Sequence, residues 1–111
     1  MKKYNLGEFQ ELILMTVIVL GQEAYGSEVQ RDLEARLNQS LSIGAIQTAL
    51  KRLEEKGFLT SAWGEATQKR GGKRKRFYTA TPYAHRVLGE MKAIRAQLWA
   101  AMGQLGNYPA S

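Results

Sequence analysis

The chain has 111 residues, 44% of them hydrophobic, and no cysteine. That length suits one domain with a modest core, and the missing thiols exclude a disulfide framework, a thiolate zinc site and a cysteine nucleophile. The net charge of +6 is concentrated: Lys69, Arg70, Lys73, Arg74, Lys75 and Arg76 fall within eight positions with no acid among them, while the ten other Lys and Arg are matched by ten Asp and Glu. Such a cluster points to a polyanionic partner.

In chain order, Asn5 and Glu8 have capping-box spacing, which predicts a first helix from about Leu6. Phe9, Leu12, Ile13, Val17 and Leu20 recur at helical spacing, and Leu14, Ile18 and Val19 widen the apolar face until the helix is apolar nearly all round and should be sandwiched. Gly21 is its expected stop. Lys2 and Lys3 before the apolar run 12–20 loosely mimic a secretion signal. Glu8 and Glu11 interrupt that pattern, no small-residue cleavage site follows, and nine residues are too few to span a bilayer. A cytoplasmic protein with no membrane partner is expected.

Ser27 with Gln30 gives a second capping signal, and Val29, Leu33 and Leu37 mark the buried stripe of a second helix. After a break at 40–42, Ser42 is placed to cap a third helix over 43–56. Its apolar face is Ile46, Ala49, Leu50 and Leu53, and Gly57 should end it. Residues 58–63 and 76–80 are short and rich in aromatic or β-branched side chains, as strands are. The basic, turn-prone stretch 64–75 between them, with Gly71-Gly72, would make them a hairpin whose loop is longer than the tightest turns.

Thr81-Pro82 is a strong helix start, a capping hydroxyl before a proline at the first helical position. The last helix should reach about Gln104. Ala84, Val87, Met91, Ile94, Leu98, Ala101 and Leu105 step by three and four, a heptad seam suited to a second copy of the chain. Three segments are expected: 1–81 as the domain that carries the basic cluster, 82–105 as a dimerisation helix and 106–111 as a flexible tail.

Helix, helix, helix, hairpin, long helix is the order of a winged helix-turn-helix, mainly α with one β-hairpin. The third helix would then lie in the major groove of double-stranded DNA. Its outward face presents Gly44, Ala45, Gln47, Thr48, Lys51 and Arg52, next to the capping Ser42. Small residues allow close approach, Gln47 and Thr48 suit base edges, and Lys51 and Arg52 suit phosphates. The wing at 68–76, with Lys69, Arg70, Lys73, Arg74, Lys75 and Arg76, would neutralise the backbone by counterion release and carry little sequence information.

The sequence resembles the PadR family of transcriptional regulators from about Leu6 to Leu98. The residues that carry the resemblance are Tyr25-Gly26, Leu41-Ser42, Leu50-Lys51-Arg52-Leu53-Glu54-Glu55-Lys56-Gly57-Phe58-Leu59, Ser61-Ala62-Trp63-Gly64-Glu65 and the run from Gly71 through Thr81. The resemblance implies a homodimer on an inverted-repeat operator, usually a repressor, often released by a small aromatic ligand. The single C-terminal helix is similar to that of the small PadR-like subfamily, in which it makes the dimer. In those regulators a tryptophan on that helix can stack on flat drugs, which makes Trp99 the candidate ligand residue, with Met91 and Met102 as adaptable lining. Trp99 could equally fill the dimer core. Two departures stand out. Gln47 replaces the family's usual aromatic residue, trading a phenol for an amide that can bond adenine, and Ala84 replaces a usual glycine.

Other side chains have plainer expected roles. Trp63 should pack at the base of the hairpin. Phe77 and Tyr78 point to opposite sides of their strand, so one should be core. Glu54 and Glu55 should pair with Lys51 and Arg52 one turn earlier. His85, the single histidine, should be exposed in the first turn of the last helix. It offers no metal cluster or catalytic triad, so no cofactor and no enzymatic activity are expected. The alternative to a regulator is a winged-helix module whose basic wing meets an acidic protein partner.

Overall fold

The computed structural model describes residues 6–64 and 74–104. Along it run α1 (Glu8–Leu20), α2 (Gly26–Leu37), α3 (Ile43–Glu55), β1 (Leu59–Trp63), β2 (Arg76–Ala80) and α4 (Pro82–Gln104). Together they form a winged helix-turn-helix with a C-terminal helix.

Helix α1 starts at Glu8, two residues later than expected, on an extended Gly7 that makes no side-chain capping bond. Asn5, the predicted cap, lies outside the described residues. Ile13, Leu14 and Val17 enter the core, but Met15 and Val19 are exposed. The helix is therefore not enclosed: α2, α3 and β2 pack along it, α4 meets it at Glu11, and Met15 and Val19 stay open. Gly21 ends it and opens a short 3-10 turn, Gly21–Glu23.

Helix α2 begins at Gly26, and the expected Ser27 cap is not made. The reason is long-range: Tyr25 bridges to Phe77, and the Tyr78 amide donates to the Ala24 carbonyl at 2.9 Å. The chain before α2 is thus held extended against the wing, and the helix starts where that hold ends. Gln30, the other half of the expected box, donates its amide to the Leu41 carbonyl at 2.9 Å, while Glu34 accepts from the Leu41 amide at 2.7 Å. Both bonds pin the turn that sets the angle between α2 and α3. Asn38, at φ 54°, closes α2 in the left-handed region. Leu37 is exposed, so the buried stripe stops at Leu33, because the last turn of α2 runs beyond the core.

Helix α3 follows its expected pattern. The Ser42 hydroxyl accepts from the Ala45 amide at 3.2 Å, and Ile46, Ala49, Leu50 and Leu53 are buried. The helix ends at Glu55, with Lys56 as C-cap and Gly57 beyond it at φ 86°, a conformation that a side chain would strain. Strands β1 and β2 are antiparallel, with Leu59 opposite Ala80 and Trp63 opposite Arg76. Phe58 stays outside the strand, buried and stacked on Tyr83 at 5.0 Å. Tyr78 is the core residue of β2, and Phe77 meets Tyr25 edge-on at 5.2 Å.

Thr81 starts α4 as its sequence context predicts. Its hydroxyl accepts from the Ala84 amide at 3.1 Å and donates to the Gly57 carbonyl at 2.8 Å, tying the start of α4 to the end of α3. The heptad seam then divides. Ala84 and Val87 (1% exposed) belong to the chain's own core, and Met91 packs half-buried against it. Val87 therefore cannot serve the intermolecular role expected of it, since its surface is already used. Ile94, Leu98 and Ala101 are exposed, and Leu105 lies outside the described residues. The radius of gyration is 16.8 Å, against about 13 Å for a compact domain of this size, because α4 projects from the body. Among the described residues no helix is long and apolar enough to cross a membrane.

Candidate nucleic-acid interface

With Ile46, Ala49, Leu50 and Leu53 turned inward, helical geometry of 100° per residue distributes the rest of α3. Gly44, Ala45, Gln47, Thr48, Lys51 and Arg52 are all exposed. They do not share one face. Ala45 and Arg52 lie on the flank toward α1, where with Phe9, Gln10, Gly44 and Thr48 they line a groove of about 450 Å³. Gln47 lies on the other flank, toward the wing. Gly44, Thr48 and Lys51 are nearest the outward pole.

The wing-side flank opens into a cleft of about 350 Å³ between the start of α2, Ile43 and Gln47 of α3, and the root of the wing. Gly26 forms its floor, and a Cβ there would collide with the Gln47 amide. The missing side chain is what allows Gln47 to lie across the first turn of α2. The wing root is held closed by the Gly64 amide donating to the Lys75 carbonyl at 2.7 Å and by Arg74 Nε donating to the Gly64 carbonyl at 2.9 Å.

Three consecutive cations at this root lie over aromatic rings. The Arg74 and Arg76 guanidinium carbons sit 6.0 and 5.1 Å from the Trp63 ring centre, and Lys75 Nζ sits 3.8 Å from that of Tyr25. Each distance is within the range of attraction between a cation and the negative face of an aromatic ring. Trp63 does not pack into the hairpin base as expected. It is 55% exposed, a platform for two arginines. Arg76 is engaged a second time, 3.8 Å from Glu54, whose other oxygen accepts from the Ser61 hydroxyl at 2.8 Å. Glu54 thus turns to the hairpin, where β1 offers it a hydroxyl and β2 a guanidinium, rather than to Lys51 or Arg52. Burial holds the neighbouring Tyr78 phenol above its ordinary value of 10.0, opposed by the charge of Arg76 and reinforced by that of Glu54. Lys69, Arg70 and Lys73 lie outside the described residues.

A second groove, of about 470 Å³, runs between α1 and α4 and includes Met15, Leu88, Lys92 and Trp99. Its polar end is Glu11, buried on α1, whose carboxylate is held by both terminal nitrogens of Arg95, one of them at 2.8 Å. This hydrogen bonding, and then the Glu11 charge, raise the Arg95 pKa above its usual value. Trp99, 70% exposed, is the predicted ligand residue that lines this groove. Met91 packs on the core and Met102 is exposed elsewhere on α4. His85 is exposed in the first turn of α4. Among the described residues no three His, Cys, Asp or Glu side chains gather as metal ligands would.

Sequence reasoning gave Tyr25 no role at the interface and did not pair Glu11 with Arg95. The first is visible only as part of the Tyr25-Gly26 pair, and the second joins residues 84 positions apart with no local signal.

Comparison with known proteins bears directly on this geometry. The model of the PadR-like transcriptional regulator family matches residues 13–90. A PadR-like transcription factor from Bacteroides fragilis superposes with a TM-score of 0.71 at 23% identity, covering 88% of this chain and 89% of its own. A PadR family regulator from Eggerthella lenta DSM 2243 is 28% identical with a TM-score of 0.65, over 88% of this chain and 85% of its own. One from Clostridium difficile R20291 is 27% identical at 0.60, over 86% and 98%. A search of curated proteins finds no match. With a family model covering α2, α3, the hairpin and most of the core, the chain belongs to the PadR-like family of transcriptional regulators and is a DNA-binding regulator.

Proposed function

We propose that the chain works as a homodimer on an inverted-repeat operator, as a repressor that releases DNA when a flat aromatic molecule binds. In this reading residues 1–81 bind DNA and 82–105 make the dimer. Ser42, Gly44, Ala45, Gln47, Thr48, Lys51 and Arg52 meet the major groove or its phosphates. Lys69, Arg70, Lys73, Arg74, Lys75 and Arg76 meet the backbone.

The observation that carries the DNA reading is the cleft joining the exposed flank of α3 to the cationic wing root. A duplex with its major groove on α3 has its backbone beside Arg74 and Lys75. The dimer reading is supported by the apolar arc of α4, where Ile94, Leu98, Trp99 and Met102 are exposed together. Monomeric proteins seldom leave such a patch uncovered. In helix-turn-helix dimers the protein two-fold matches an inverted repeat whose half-sites lie about 34–36 Å apart. Release by an aromatic ligand is supported by the groove at Trp99, which adjoins that arc.

The test is selection from a pool of random duplexes. Enriched fragments should carry a palindrome, bind in the nanomolar range and weaken steeply with salt. Alanine at Lys73, Arg74, Lys75 and Arg76 should weaken binding to every sequence and flatten the salt dependence. A pool that remains unenriched would overturn the reading. Reporter expression from a promoter carrying the enriched site, with and without the protein, separates repression from activation.

A further inference from the structure

Gln47 and Thr48 are neighbours on α3 but line different depressions, Gln47 the cleft toward the wing and Thr48 the groove toward α1. We infer that the cleft between the first turn of α2, Gln47 and the wing root seats a backbone phosphodiester of the bound duplex, so that Gln47 is a phosphate-side positioning residue and Thr48 a base reader. This rests on the DNA-binding reading and goes beyond it by assigning the two neighbours opposite roles.

Charge points the same way. Arg74, Lys75 and Arg76 all line the cleft, and none of the described residues lining it is acidic. The adjoining depression on the other side of Gln47 differs: there Gln47, Lys51 and Arg76 share the lining with Glu54 and Glu55. An anion entering between α3 and the wing meets net positive charge only in the first of the two. Aromatic platforms hold these cations in place before any ligand arrives. Lys75 lies on Tyr25, and Tyr25 is itself fixed by its bridge to Phe77 and by its hydroxyl donating to Glu28 at 3.3 Å. Ordering long cationic side chains in advance reduces the entropy lost on binding. Arg76, shared between Trp63 and Glu54, braces the hairpin, and Arg74 and Lys75 line the cleft beside it.

Gln47 completes the cleft. It lies about 100° from the buried centre of α3, with its amide seated over Gly26 and its side chain lining the cleft. Thr48, one residue on, lies near the outward pole and lines the opposite groove with Gly44 and Ala45. The small residues Gly44 and Ala45, one turn earlier on α3, leave Thr48 open to a base edge on that side. Gln47 would therefore donate to a phosphate oxygen, a contact that positions without specifying.

The experiment uses the full chain, a duplex enriched from the random pool, all its single-base variants and an unrelated duplex, each titrated at several salt concentrations. Lys75→Gln should weaken binding to all of them several-fold and lower the salt slope by about 0.9, the loss of one phosphate contact. Gln47→Ala should weaken all duplexes by a common factor and keep the ranking of the single-base variants. Gly26→Ala should do the same, because the new Cβ displaces the Gln47 amide without disturbing the helix, and its thermal midpoint should not fall. Thr48→Ala should change the ranking. An unchanged salt slope in Lys75→Gln, or a changed ranking in Gln47→Ala, would overturn the assignment while leaving the DNA-binding reading intact. Failure of the unaltered chain to bind any duplex would overturn both.

Discussion

Replacing Leu98 by Glu tests whether the α4 arc holds a second copy. Leu98 is 59% exposed in the single chain, and complete burial of a leucine is worth about 1.5–3 kcal/mol. The share left for a partner is therefore about 1–2 kcal/mol per subunit. A two-fold interface counts it twice, so the substitution removes about 2–4 kcal/mol before the cost of burying a carboxylate. The dimer dissociation constant should rise at least about 30-fold. Glutamate is a good helix former, so far-ultraviolet circular dichroism should be unchanged. Ala93→Glu, at an exposed position on the far side of α4, is the control. Sedimentation equilibrium across the micromolar range should show the unaltered chain and Ala93→Glu as dimers and Leu98→Glu shifted toward monomer, with loss of binding to the paired site. Equal masses for all three proteins, or disruption by Ala93→Glu as well, would refute the assignment of this face.

Three further outcomes are expected. Thr81→Val should cost about 1–2 kcal/mol in urea unfolding, because it removes both the α4 cap and the bond to the Gly57 carbonyl, whereas Thr81→Ser should restore most of it. The raised pKa of Tyr78 means that the folded chain keeps a proton the unfolded chain loses. Its contribution to stability is complete below about pH 10 and is lost as pH rises through the folded value, so Tyr78→Phe should flatten the fall in urea midpoint between pH 9 and 11 relative to the unaltered chain. In a Trp63→Phe background, where Trp99 is the remaining tryptophan, a flat aromatic dye should quench the fluorescence saturably and weaken operator binding over the same concentrations. Quenching without weakened binding would remove the effector role.

Much of the fold was legible because its signals are local. Ser42 and Thr81 act within three residues of themselves, as a capping hydroxyl must. The stripe Ile46, Ala49, Leu50, Leu53 records one face of α3 by period alone, and the β-rich segments at 59–63 and 76–80 record the strands. The readings that failed involve distant partners. Ser27 looked like a cap, yet α2 starts at Gly26 because Tyr25 is held by Phe77. Trp63 looked like packing, yet the next strand places two guanidinium groups over its ring. Val87 fitted a heptad seam, yet it was already inside the core of its own chain.

The sequence by itself determined the order of elements, the inward face of each central helix and the concentration of positive charge in one wing. These follow from periodicity, capping chemistry and charge counting, all of which operate within a few turns of chain. Tertiary structure decided which parts of those faces remain available. It divided the α4 seam at Met91, since side chains on its first turns are taken by the chain's own core. It joined Glu11 to Arg95 across α1 and α4, and laid Gln47 over Gly26 beside the wing. Helical phase states that a residue points outward, but what it meets there depends on which distant segment packs alongside.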